Sequence, residues 1–296
     1  MWYFQIFRPM KSNKILLLFL SFLLLGCNSA EKQYEAADQA DWKLSMQSYT
    51  FHRFTVVESL EKCKELGVNY IEIYPGHRMG SGFDDALFGY DLSVDQQNQL
   101  KTLAKSNDVT IVSSGVWTAA RDDWEKVFAF AQKMGLEFIS AEPARPDWDV
   151  VEQLAQQYGV KVACHNHPNE NSYWKPEILL QAIADRSDLL GACADVGHFK
   201  RMGVEPIVAL QKLQGRIVSL HFKDIEPQPD NNSFEDVVWG TGVLNVEGML
   251  EELKSQSFKG YFTIEYEANW ENNLPEIKRS IEYYTTVADN LFSESE

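Results

Sequence analysis

From Asp41 onward the chain alternates short apolar runs with amphipathic stretches eight times over, and this rhythm restricts the fold more than any other feature. Strands are predicted at Leu44–Tyr49, Tyr70–Tyr74, Val109–Ser114, Phe138–Glu142, Val160–His165, Leu190–Asp195, Ile217–His221 and Tyr261–Glu265. Apolar residues at helical spacing predict helices over Val57–Leu66, Val94–Ser106, Arg121–Met134, Trp148–Tyr158, Lys175–Ile183, Pro206–Leu213, Val246–Ser255 and Leu274–Phe292. Several helices end in a glycine that leads straight into a strand: Leu66-Gly67-Val68, Met134-Gly135-Leu136 and Tyr158-Gly159-Val160. Strands joined through helices lie parallel with right-handed crossovers, and eight such units close into a (β/α)8 barrel. That architecture takes ~250 residues, and residues 41–293 supply them as one domain. The longest connection, Asp224 to Gly242, follows a strand, on the side of a barrel where loops carry function.

The N-terminus belongs to a different kind of segment. Arg8, Lys11 and Lys14 precede an apolar run from Ile15 to Leu25, too short to span a bilayer, which closes in Leu24-Leu25-Gly26-Cys27. This pattern resembles an export signal with a lipobox, so residues 1–26 are expected to be removed and Cys27 to carry lipid. Residues 27–40 are polar and aperiodic, as a tether would be. An exported chain anchored to a bacterial membrane through lipid, facing periplasm or cell surface, is the expectation. Loss of residues 1–26 removes three basic residues and no acidic one, taking the net charge from −16 to −19. A surface this acidic repels phosphate backbones and argues against nucleic-acid partners. The remaining cysteines, Cys63, Cys164 and Cys193, show no zinc-ribbon spacing and no disulfide framework, and are expected to be buried thiols.

Chemistry gathers where the strands end. Glu72, Glu142, His165, His167, Asp195, His198, His221, Asp224, Glu265 and Glu267 all fall at or just past predicted strand C-termini, the active face of a (β/α)8 barrel. Alternation refines the set: Cys193 with Asp195, Ser219 with His221, and Thr263 with Glu265 each share a strand face. If those faces point inward, Asp195, His221 and Glu265 converge at the barrel mouth. Imidazole nitrogen with carboxylate oxygens suits Mn, Mg, Co or Zn. Glu142 shares a face with Phe138 and Ser140 and is a further ligand candidate. Glu72, Glu267 and Asp224 read equally well as caps, loop anchors or satisfied core groups. Polar ends on consecutive strands are harder to assign to structure, because clustered buried charges cost several kcal/mol each (~3 to 5) unless paired or metal-bound.

The order Asp195-Val196-Gly197-His198, His221-Phe222-Lys223-Asp224, Ile264-Glu265 resembles the xylose isomerase-like TIM-barrel superfamily of sugar isomerases and epimerases, over Leu44 to Leu291. The resemblance implies Asp195, His221 and Glu265 as metal ligands and His198 beside the substrate. Many members carry a fifth-strand glutamate that is both ligand and base, whereas this chain has His165-Asn166-His167 there and Glu142 one strand earlier. The fourth ligand is therefore Glu142 or one of these histidines, and the proton-transfer base is Glu265, Glu142, His165 or His167. His167, His198, Lys223 and Trp117 are candidate substrate contacts. Tyr49, Tyr173, Trp174, Trp239 and Trp270 are further aromatics near the rim, each equally at home in packing.

The implied reaction is proton abstraction beside the carbonyl of an unphosphorylated keto or aldehydo sugar, with a metal-stabilised enediolate. Return of the proton gives an isomerase or epimerase, the first expectation. Loss of a β-leaving group gives a lyase or hydratase acting on a 3-keto-glycoside or related oxidised sugar. A non-catalytic sugar-binding lipoprotein would keep the pocket and need no metal. An abasic-site endonuclease, built on the same barrel, is disfavoured by charge and compartment.

Overall fold

The computed structural model describes Met1, Trp2, Gln5 and residues 35–230 and 233–293. The expected signal, lipobox and Cys27 lie outside the described residues. A short helix, α1 (Glu35–Gln39), precedes seven parallel strands: β1 (Trp42–Gln47), β2 (Tyr70–Ile73), β3 (Thr110–Trp117), β4 (Phe138–Ala141), β5 (Lys161–His165), β6 (Leu190–Asp195) and β7 (Ile217–Phe222). An antiparallel hairpin follows, β8 (Asp224–Gln228) and β9 (Ser233–Val237), and then the last barrel strand, β10 (Gly260–Ile264). Each barrel strand pairs in parallel with its sequence neighbour, and β10 closes on β1. The expected (β/α)8 TIM barrel is the observed fold.

The helices between them are α2 (Val56–Leu66), α3 (Val94–Ser106), α4 (Trp124–Met134), α5 (Trp148–Tyr158), α6 (Pro176–Ile183), α7 (Val196–Arg201), α8 (Pro206–Lys212), α9 (Val246–Ser255) and α10 (Leu274–Ser293). Capping boxes start α2 at Thr55 with Glu58 and α3 at Ser93 with Gln96, satisfying orphan N–H groups at both ends of the box. Gly67, Gly135 and Gly159 close α2, α4 and α5 in the left-handed conformation the sequence called for. Trp124 and Trp148 begin α4 and α5 and are buried. Val112, Phe138, Ala163, Cys193 and Tyr261 pack together as a buried apolar cluster among the barrel strands. Among the described residues no helix is long and apolar enough to cross a membrane.

Three local differences bear on the site. The strand expected to stop at Ser114 continues to Trp117, which pairs with Ala141 and so stands in the sheet rather than in a rim loop. Asp195 is followed at once by α7, placing His198 one turn into a helix. The long loop after β7 is not irregular; it holds the β8–β9 hairpin. Cys63, Cys164 and Cys193 are buried free thiols.

Candidate metal centre

Neighbouring strands in register bring their ends together at one height. Asp195 on β6 pairs with His221 on β7, and His165 on β5 lies opposite Cys193. One ligand atom from each of His165, Asp195, His221 and Glu265 falls within 4.8 Å of the other three, and all four residues are buried. His165 and His221 stand 4.8 Å apart, centroid to centroid. The sequence-derived trio of Asp195, His221 and Glu265 is thus brought together, with His165 as the fourth member.

Each member is held by groups behind it. Glu72, fully buried at the end of β2, meets His221 Nε2 at 2.8 Å and accepts bonds from Gln47 Nε2 at 2.7 Å and from the Ser113 and Ser140 hydroxyls at 2.6 Å. The His221 bond leaves Nδ1 facing the cluster, the carboxylate–histidine arrangement that orients a metal-binding imidazole. Glu142 Oε1 does the same for His165, 3.1 Å from its Nδ1, which turns Nε2 toward Asp195. Asp195 is pinned at the strand end by reciprocal bonds with Asn166: its N–H donates to Asn166 Oδ1 at 2.8 Å, and Asn166 Nδ2 donates to its carbonyl at 2.9 Å. Its Oδ1 caps α7 by accepting from His198 N at 2.6 Å.

The donor set fits a cation. His165 Nε2, Asp195 Oδ2 and His221 Nδ1 are buried and lack a well-directed hydrogen bond, although charged groups lie close. His165 Nε2 and Asp195 Oδ2 are 3.6 Å apart, and His221 Nδ1 and Glu265 Oε2 are 3.1 Å apart. Three orphaned atoms aimed at one point, with a carboxylate beside them, are what a divalent ion would satisfy. Burial works against ionised Glu265, but Lys223 and His221 beside it hold its carboxyl well below the usual range. Asp195 is likewise driven down, against the cost of burial, by His198, Lys223 and His165. Both therefore stay anionic at neutral pH.

Glu142, expected as a ligand, is placed outside the four, in a second ligand-capable group with His165 and His167 whose donor atoms also lie within 4.8 Å of one another. Strand β4 ends at Ala141, so the Glu142 side chain lies behind His165, where it also takes His167 Nδ1 and, at 3.2 Å, the His167 backbone N–H. Burial raises its carboxyl, but these hydrogen bonds pull it down to about 2. The His167 side chain is 48% exposed and stacks near His198, with ring centroids 5.5 Å apart. His198 is buried, its Nδ1 3.4 Å from Asp195 Oδ2, and burial drives its protonation well below the ordinary range. Lys223, expected against the substrate, is fully buried. Its ammonium lies 3.0 Å from Asp195 Oδ2, 2.7 Å from Glu265 Oε2 and 3.2 Å from Glu267 Oε1. Trp117 is also mostly buried; its indole N–H donates to Ser114 Oγ at 2.9 Å and its ring stacks on Tyr90.

Of the other rim aromatics, Tyr173 and Trp239 are core residues. Tyr49 is 40% exposed and touches His52, Tyr74 and Trp270. Asp224 anchors a loop: its carboxylate accepts from the N–H groups of Ile225, Gly240, Gly242 and Leu244 at 2.8–3.0 Å. The residues that the motif reading left aside are Gln47, Ser113 and Ser140, the partners of Glu72. Polar residues inside otherwise apolar strands were the signal available for them.

A family model described as a xylose isomerase-like TIM barrel matches residues 60–287. An inosose isomerase of Halalkalibacterium halodurans is 25% identical over 244 residues, covering 74% of this chain and 85% of the relative. An inosose dehydratase of Lacticaseibacillus casei is 21% identical over 159 residues, 49% of this chain and 48% of that protein. Among solved structures, a protein from Parabacteroides distasonis is 37% identical with a TM-score of 0.69, the match covering 83% of this chain and 99% of that one. The IOLI protein, crystallised with a zinc atom, has the same fold, with a TM-score of 0.63 at 19% identity over 85% of this chain and 99% of its own. With its closed eight-stranded barrel and a family match spanning most of the chain, this protein belongs to the xylose isomerase-like TIM-barrel family.

Proposed function

We propose that this protein is a divalent-metal-dependent enzyme that removes the proton beside the carbonyl of an unphosphorylated sugar or sugar-derived ketone. Elimination of a β-oxygen is the outcome its geometry supports best. His165, Asp195, His221 and Glu265 would hold the ion, which when bound supplies Lewis-acid polarisation of the carbonyl and stabilises the enediolate.

The observation carrying the elimination reading is the pair Glu142–His167. A two-base epimerase needs like groups on both faces of the substrate. Here the fifth strand offers His165, which belongs to the cluster, and the carboxylate beside it, Glu142, is engaged by His165 and His167. His167, its side chain 48% exposed, is an acid–base group at the rim. Its Nδ1 rests on an ionised Glu142, which leaves Nε2 to carry a proton. In this account neutral His167 takes the α-proton, and the C–H electrons enter the C=C bond of the enolate as the carbonyl pair moves onto oxygen. As the carbonyl re-forms, that pair becomes the bond between the α- and β-carbons, the bond from the β-carbon to its oxygen breaks, and the imidazolium gives its proton to the departing oxygen. One residue serves as base and then as acid, with Glu142 stabilising the cation between the two steps. His198 and the exposed Tyr49 edge are the side chains best placed to touch substrate hydroxyls.

A second reading, isomerisation, is favoured by the similarity to the inosose isomerase, which extends over most of that protein. Product analysis separates the two: a dehydrated sugar or a released aglycone indicates elimination, and a rearranged sugar indicates isomerisation. Keto-sugars, inososes and 3-keto-glycosides labelled with deuterium at the α-carbon provide the test. A primary isotope effect is expected when chemistry limits the rate, and His167→Gln should lower kcat by about 10²–10⁴ while keeping its metal. Turnover without an isotope effect, or an unimpaired His167→Gln enzyme, would overturn the mechanism.

A further inference from the structure

We propose that Lys223 is a resident cation that competes with the divalent ion for Asp195 and Glu265, handing those carboxylates over and falling back on Glu267 when metal binds. The inference rests on the metal reading above.

The Lys223 ammonium shares its acceptors with the cluster. It lies 3.0 Å from Asp195 Oδ2, the oxygen otherwise left unsatisfied, and 2.7 Å from Glu265 Oε2, the oxygen that faces His221. The lysine is fully buried, so its charge is balanced by these neighbours and not by water. Space for it has been built in. At Gly197 a Cβ would come 2.6 Å from Lys223 Cδ and 2.7 Å from Cγ, and no other side chain stands closer. Gly197 lies between Asp195 and His198, at the start of a helix that glycine does not favour. The glycine of Asp195-Val196-Gly197-His198 therefore makes the channel through which the lysine of His221-Phe222-Lys223-Asp224 reaches Asp195.

Charge accounting assigns the third partner. Asp195 and Glu265 together balance one divalent ion, which leaves Lys223 without a counter-charge unless another acid is within reach. Glu267 Oε1 is 3.2 Å from the ammonium, and its side chain is 29% exposed, on the open side of the pair. Its backbone N–H is fixed by Asp236 Oδ2 at 3.0 Å, while Asp236 Oδ1 accepts from Arg201 at 2.6 Å. Arg201 thus occupies Asp236 and leaves Glu267 for the lysine. A divalent ion and an ammonium a few ångströms apart repel strongly in a poorly screened interior, so the retreat of Lys223 toward Glu267 accompanies loading.

Two substitutions should move metal affinity in opposite directions, which a merely structural lysine would not do. Metal-stripped full-length protein is titrated with Mn²⁺ and with Zn²⁺ against a chelator indicator. Lys223→Met, which removes the competing charge, should bind at least tenfold tighter, and Glu267→Gln, which removes the fall-back partner, severalfold weaker. Gly197→Ala keeps every charge and displaces the lysine stem; it should tighten binding by a smaller factor. If stripped Lys223→Met does not fold, it is purified loaded, and the chelator concentration that strips it is compared with wild type; a higher one is expected. Wild type that takes up metal while Lys223→Met binds no tighter overturns the competition and leaves the metal site standing. Wild type that takes up neither ion overturns the metal reading itself.

Discussion

Glu72 accepts or shares four hydrogen bonds from β1, β3, β4 and β7, so one buried carboxylate ties half the barrel to the imidazole of His221. Burial would raise its carboxyl, yet His221, Ser113 and Ser140 hold it below the ordinary value, and it remains an anion. Glu72→Gln should therefore leave the barrel folded while weakening metal retention by about 10- to 100-fold, measured by the same chelator competition. His77 offers a separate test, away from the metal. It is buried, within 3.1 Å of both Ser48 Oγ and the Phe54 carbonyl, and burial lowers its protonation to about 4. Because its folded value lies below the unfolded one of ~6.5, the unfolded chain binds more protons between those two values. Stability is then complete above pH ~6.5 and declines toward pH ~4, by at most ~3 kcal/mol from this residue. Urea unfolding of His77→Gln should show a shallower loss between those pH values than wild type; an equal loss would contradict the assignment.

At the level of elements, the β8–β9 hairpin and the loop behind it depend on two aspartates. Asp224 gathers four backbone N–H groups, and Asp236 joins the hairpin to Arg201 of α7 and to the chain after β10. Asp224→Ala strands those donors and should cost about 3 kcal/mol, with protease cleavage appearing in residues 238–244; an unchanged melting temperature would show the loop is held otherwise. These elements also mark where the sequence could be read and where it could not. Eight strands and most helices announce themselves through apolar periodicity and Gly-terminated helices, because those patterns follow from burial alone. Helix α7, Val-Gly-His-Phe-Lys-Arg, is too short to show a period, and the hairpin strand Ser-Phe-Glu-Asp-Val is acidic and buries only Asp236. Parity found Asp195, His221 and Glu265, since direction alternates reliably along a strand. It did not decide among Glu142, His165 and His167, because their placement depends on where β4 and β5 end, at Ala141 and His165.

For the molecule as a whole, the candidate ligands His165, Asp195, His221 and Glu265 gather at the C-terminal ends of the barrel strands. The acidic balance of −16 over the full chain sets up a field that repels anions at long range. We propose that Cys27 is the lipid-bearing first residue of an exported form, from the Leu24-Leu25-Gly26-Cys27 boundary. Cys27→Ala should then stay unprocessed or leave the membrane fraction, and intact retention with Met1 still present would contradict it. The central claim, a single divalent-ion site made by four strand ends, is tested most directly by elemental analysis of protein reconstituted with Mn²⁺ or Zn²⁺ and then dialysed. The account predicts about one ion per chain for wild type and almost none for His221→Ala or Asp195→Asn of unchanged circular dichroism. Wild type without metal, or either variant retaining a full complement, would contradict it.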